Sequence, residues 1–238
     1  MKEMHGQIRV WALVAVALAL SACPAPRRPA PALPPVTMPA GAPTFPGAVP
    51  FRVVADESLV RILVFRSGTL SSAGHNHVIA SRNLSGTVWV HEDLTRSGFQ
   101  IVMPVTLLEV DDPQSRSQEG PDFAHEVPQS AREGTRKNML AVALLDGDRF
   151  PGITLTSLQT RGTRENMQVR TRIEVKDQAR EVTVPVTAQY EGDRVIASGE
   201  FKVKQSELGL TPFSVMLGAL QVQDELDVKF RIVATKRE

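Results

Sequence analysis

From residue 51 onward, apolar and polar positions alternate with a period of two in one run after another. The clearest case is Met167 to Val175, where apolar or small side chains alternate with Gln168, Arg170, Arg172 and Glu174. A period of two sends successive side chains to opposite faces of a strand, so this run predicts a strand with one buried face. Similar runs rich in β-branched residues predict strands over Phe51–Asp56, Leu59–Phe65, Gly86–Val90, Gly98–Met103, Gly152–Ser157, Glu181–Thr187 and Val195–Val203. A last alternating run passes through Leu226, Val228, Phe230 and Ile232. Pro185 predicts an edge position or a bulge, because proline cannot donate to a ladder. About eight to ten strands with one helix imply an all-β domain, either a sandwich or a closed antiparallel barrel.

The helix is expected after a polar, irregular stretch from Asp111 to Arg136. Ser130 with Glu133 three residues later has the form of a capping box, ahead of Met139, Leu140, Val142 and Leu144. A loop of this length inside a compact domain commonly covers a site. An apolar run, Val215, Met216, Leu217, Ala219 and Leu220, follows Pro212-Phe213. It is expected in the core or at a ligand entrance at the end of the barrel.

The N-terminus follows different rules. Lys2 and Arg9 precede an uncharged apolar run from Val10 to Leu20, too short for a permanent membrane span and suited to a signal peptide. It ends Leu20-Ser21-Ala22-Cys23, which resembles the bacterial lipobox, so residues 1–22 are expected to be removed and Cys23 to be acylated. Ten of the 17 prolines then fall between Pro24 and Pro50. That composition predicts an extended linker, residues 23–50, ahead of a barrel domain at 51–238. Pro24 in place of Asp after the cysteine favours the outer membrane by resemblance to the enterobacterial sorting rule. The chain is therefore expected in the bacterial cell envelope, lipid-anchored and facing the periplasm.

Composition narrows the partners. Lys and Arg number 27 against 26 Asp and Glu, and aromatics make up 5% of residues. Neither a basic surface nor stacking platforms for nucleic acid are implied. The single cysteine, Cys23, excludes an internal disulfide.

One cluster carries candidate chemistry: Gly74-His75-Asn76-His77. On an extended backbone the imidazoles at i and i+2 face one way and can share a ligand. Two are too few for a closed zinc site, so a metal would need His125, or an acid such as Glu126, from the irregular stretch. The simpler reading is a turn at a strand end whose histidines form hydrogen bonds. No nucleophile motif, phosphate loop or recognised metal-ligand spacing occurs.

Several spaced segments together resemble the YceI-like family of bacterial periplasmic and secreted proteins. They are the Gly86 strand, Leu145-Asp146 with Arg149-Phe150-Pro151-Gly152-Ile153-Thr154-Leu155, and Val184-Pro185-Val186-Thr187. Ala197-Ser198-Gly199-Glu200-Phe201, Ser206-Glu207-Leu208-Gly209-Leu210 and Val222-Gln223-Asp224-Glu225-Leu226-Asp227-Val228 complete the set. The resemblance covers about residues 51 to 235. It implies an extended lipocalin-like antiparallel barrel with one helix inserted between strands, and an apolar interior holding an isoprenoid lipid such as a quinone or polyprenyl phosphate. Two departures bear on head-group recognition. Asn138-Met139 stands where many members carry a histidine-leucine pair, and the Gly74–His77 cluster replaces a small, polar connection.

The leading expectation is a non-enzymatic protein that binds, sequesters or carries a long apolar ligand and has no other cofactor. His75, Asn76 and His77 are the candidates for a polar head at the mouth. Val88, Val90, Phe213, Met216 and Leu217 are the candidates for apolar contact. The alternatives are a metal or hydrolytic site at His75, His77 and His125, and a structural envelope protein with a solid barrel. Periodicity does not separate a filled barrel from a hollow one, and a homodimer stays open.

Overall fold

The computed structural model describes residues 43–236. Twelve strands form one antiparallel sheet: β1 (Val49–Val53), β2 (Leu59–Ser67), β3 (His77–Ser81), β4 (Ser85–Val90), β5 (Gly98–Pro104), β6 (Glu109–Val110), β7 (Gly152–Thr163), β8 (Asn166–Val175), β9 (Gln178–Glu191), β10 (Arg194–Lys204), β11 (Ser214–Val215) and β12 (Leu220–Lys236). Eight of them close a ring in the order β1-β4-β5-β7-β8-β9-β10-β12, and β12 returns to β1 through Phe51–Lys236 and Val53–Ala234. Closure pairs the edges that an open sheet would expose. β12 is 17 residues long, so it pairs with β2 along its first part and β1 along its last. β3 and β6 extend the sheet beyond β2.

The alternation becomes the wall of the barrel. Met167, Val169, Thr171, Ile173 and Val175 on β8 are buried, while Gln168, Arg170 and Arg172 are exposed. Pro185 sits where the rule places it. It pairs with Gln168 of β8, while the β9–β10 ladder stops at Thr187–Ser198, just short of it. The Pro185 carbonyl lies against Gly199, where any Cβ would collide with it. The folded domain begins slightly before the expected boundary: Phe45 stacks on Trp89 with centroids 5.2 Å apart, and Arg96 donates to the Pro46 carbonyl.

Two expectations need correction. The helix, α2 (Gln129–Leu140), begins after Pro128, and no side chain caps it. Ser130 lies inside the first turn, and Glu133 instead accepts a hydrogen bond from Gln129. Proline before the helix sets its entry without a capping box, since its ring fixes φ near the value the turn needs. Val142 and Leu144 fall beyond the helix end, and Val142 is exposed. The second correction concerns the core placement expected for the run after Pro212. Phe213, Val215, Met216 and Leu217 are exposed, because β11 and the start of β12 form a short hairpin past the end of the barrel.

The irregular stretch is tied to the outer face of β2 and β3. Phe123 is buried against Leu63, Val78 and Phe65, its ring edge-on to Phe65 at 5.5 Å. Glu119, whose side chain is buried, pairs with Arg61 of β2 and, at 2.7 Å, with Lys229 of β12. A four-residue helix, α1 (Pro113–Arg116), is capped by Asp112, which accepts from the Ser115 backbone.

Candidate functional site

The inward faces of the strands do not meet. They enclose a cavity of about 250 Å³, lined from Trp89 and Tyr190 at one end to Met139 and Leu144 at the other. One water needs roughly 10–15 Å³ of such space, so this is far more than a packing defect. Native interiors are packed as densely as organic crystals, and a solid core would leave no such space.

The lining is chemically uniform. Valine, isoleucine and leucine from seven of the eight ring strands, all but β1, and from β2 and β3 dominate it, and it includes no Asp, Glu, Lys, Arg or His. Its few polar side chains are engaged within the wall. Thr171 donates to the Val169 carbonyl, Thr160 to the Ser97 carbonyl and Gln205 to the Gln223 carbonyl. Tyr190 closes one end with the Arg164 guanidinium 4.4 Å from its ring centroid. Burial raises the Tyr190 pKa, against a smaller lowering by Arg164, so its hydroxyl is neutral at physiological pH. Such a surface favours hydrocarbon and offers nothing to a buried charge.

Of the expected contact residues, Val88 and Val90 line the cavity, while Phe213, Met216 and Leu217 do not. Met139 lines it from α2, and its neighbour Asn138 is exposed, so the departure at position 138 lies outside the cavity. Trp89, Tyr190 and Phe201 are lining residues that sequence reasoning missed. Alternation alone could have found Phe201, which shares a face of β10 with the buried Val195 and Val203. Cys23 lies outside the described residues.

The histidine cluster belongs to a separate network. None of His75, Asn76 and His77 lines the cavity. Asp111 is buried with a left-handed φ of 53°. It accepts hydrogen bonds from His77 Nδ1 at 2.6 Å, from the Val78 backbone at 2.9 Å and from Arg116 at 2.5 Å. Burial alone would raise the Asp111 pKa, but these donors outweigh it and hold the carboxyl below its ordinary value. An ionised carboxylate only accepts, so His77 carries its proton on Nδ1. Asn76 is committed as well: its Oδ1 accepts from the Arg66 backbone, its Nδ2 donates to the Asp122 carbonyl, and its own carbonyl accepts from Arg116. His125 contributes its backbone carbonyl to Arg116. The His75 and His77 rings are 6.3 Å apart, and among the described residues no three His, Cys, Asp or Glu side chains are grouped to hold a metal.

A closed antiparallel barrel around an apolar chamber, with a helix inserted between strands, is a lipocalin-like architecture. The chain belongs to the YceI-like domain family, which matches residues 55–234. Among solved structures it is similar to BcnA of Burkholderia cenocepacia, with a TM-score of 0.56 at 18% identity over 77% of this chain and 99% of that one. It is also similar to a polyisoprenoid binding domain from Saccharophagus degradans implicated in plant cell wall breakdown. That match has a TM-score of 0.49 at 11% identity, covering 79% of this chain and 99% of the other. For a YceI protein of Campylobacter jejuni the values are 0.48 and 9%, over 66% and 82%. At 18% identity the likeness to BcnA is one of fold. No curated protein matches the chain.

Proposed function

We propose that this protein is a non-enzymatic carrier that holds a long, narrow apolar chain, of the isoprenoid or fatty class, inside the barrel. The observation that carries the reading is the uncharged apolar cavity running from Tyr190 to Met139. Apolar burial contributes roughly 25 cal/mol per Å², so a chain segment burying about 300 Å² gains about 7.5 kcal/mol before the costs of ordering it. Affinity arises from hydrocarbon contact, and a polar head stays outside the chamber. An anchor at Cys23 and a place in the bacterial envelope, at the outer membrane facing the periplasm, complete the proposal. They rest on the lipobox-like Leu20-Ser21-Ala22-Cys23 and the proline-rich segment after it.

The test is native mass spectrometry of protein purified without detergent, followed by denaturation and organic extraction. A lipid adduct released on denaturation supports the carrier. A chain that carries no adduct and also fails to take up added isoprenoid quinone or fatty acid refutes it.

A further inference from the structure

Five of the seven large apolar side chains exposed among the described residues gather at one end of the molecule: Leu70, Phe213, Val215, Met216 and Leu217. The β11–β12 hairpin holds four of them, through the pairs Ser214–Gln221 and Val215–Leu220 and the Val222 backbone donating to the Phe213 carbonyl. Leu70, in the β2–β3 connection, is bound alongside by its backbone N–H to the Ala219 carbonyl at 2.7 Å. Gly68, with φ of 91°, lets the two segments touch, since a Cβ there would strike the Gly218 and Ala219 carbonyls. The tip is therefore buttressed.

Its backbone is unusual for an exposed turn. Met216, Leu217 and Gly218 have φ of 52°, 56° and 88° in succession. Glycine, asparagine and aspartate take the left-handed region most easily, and water-facing turns favour them. Here the region is occupied by methionine and leucine, and the Leu217 side chain is fully exposed. No ionisable side chain occurs from Leu208 to Gln223 or from Ser67 to Gly74. An aqueous turn gains nothing from this, whereas a surface that enters lipid must lack charges to desolvate.

We propose that this tip docks into the surface of a lipid bilayer. The patch is a convex hairpin end, which a fluid interface accepts without a complementary groove. It also lies at the end of the cavity: on β2 and β12 the lining stops at Val64 and Leu226, and the hairpin begins past the bulge between Val222 and Leu226. Geometry permits the anchoring membrane itself to be the one reached. Phe51 of β1 pairs with Lys236, so the linker enters at the opposite end of β12 from Leu220. β12 spans about 55 Å at roughly 3.3 Å per residue. The stretch from Cys23 to Pro43, at the roughly 3 Å per residue of an extended proline-rich chain, would reach about 60 Å. The docking proposal stands whatever fills the cavity.

The test places an environment-sensitive fluorophore, NBD, on Leu217→Cys in the full chain. Asp193→Cys, in the β9–β10 turn at the other end, is the control. The parent chain treated identically reads any label on Cys23. With phosphatidylethanolamine–phosphatidylglycerol vesicles, the probe at 217 is expected to brighten several-fold, shift to the blue and be quenched by doxyl-labelled lipid, while the probe at 193 does none of these. Emission at 217 that stays aqueous with vesicles present overturns the proposal. A blue shift that needs no vesicles and grows with protein concentration also overturns it, and assigns the tip to a second copy of the chain. Lipid extraction from the same samples reports on the cavity separately.

Discussion

The Asp111 carboxylate and the Arg116 guanidinium meet at 2.5 Å with side-chain exposures of 0% and 6%, so this ion pair is buried. It joins three parts of the chain, because Asp111 also holds the start of β3 through His77 and Val78, and Arg116 also holds the Asn76 and His125 carbonyls. The Arg116 guanidinium lies 5.7 Å from the Phe123 ring centroid, above the small outer core on Leu63 and Val78. Asn76 and His77, from the cluster singled out for chemistry, are members of the structural staple that holds the irregular stretch.

Removing one member of a buried pair leaves the other charge uncompensated, at a cost of about 3–5 kcal/mol. Arg116→Met and Asp111→Ala are each expected to lower the urea-unfolding free energy by that amount. The double variant should lose less than the sum of the two. Additive losses would show that the two side chains act separately.

The same carboxylate gives stability a pH dependence. Its folded pKa lies below the ordinary value, near 3.9 for an unfolded aspartate, so the unfolded chain binds the proton more readily. The contribution is complete above that unfolded value and is lost as pH falls through the lower, folded one. Thermal unfolding followed from pH 7 downward should show a steeper acid decline in the parent than in Asp111→Asn. Parallel profiles would remove Asp111 from the account.

Two glycines should respond in opposite directions to alanine. Gly86, with φ of 150°, faces the Gln100 carbonyl of β5, and a Cβ would fall on it. Gly86→Ala is expected to destabilise by about 1–3 kcal/mol from the backbone alone, with the clash added. Gly134 sits within α2 with no atom near its missing Cβ. Gly134→Ala should stabilise by up to about 1 kcal/mol, since alanine is the better helix former. Denaturant midpoints of the two variants on either side of the parent are the expected result.

Most of the ring was legible because each strand carries its own period. β8 alternates without interruption, and Pro185 marked where the β9–β10 ladder lapses. The hollow was not legible, because Val169 or Ile173 facing a cavity obeys the same pattern as Val169 or Ile173 facing another side chain. Asp111 was equally hidden: its donors come from 34 and 33 residues upstream and 5 downstream, and local sequence holds no trace of that meeting. The exposure of Met216 and Leu217 ran against composition, since apolar runs are usually buried, and it followed from a hairpin that outreaches the barrel.

If the chamber is the binding site, filling it should end binding and leave the fold intact. Ala188 on β9 lines the cavity, and its neighbour Gln189 points outward. Placing an indole in a well-packed core forces neighbours off their rotamers, typically at 1–3 kcal/mol. Within about 250 Å³ of free space the ring meets fewer obstacles. Ala188→Trp should therefore unfold within a few degrees of the parent. Its affinity for an uncharged apolar probe such as N-phenyl-1-naphthylamine should be at least tenfold weaker, equivalent to about 1.4 kcal/mol. Gln189→Trp adds the same ring on the outer face and should bind as the parent does. Undiminished binding by a folded Ala188→Trp would place the ligand outside the barrel. A large loss of stability would mean that the interior is closed around its own side chains.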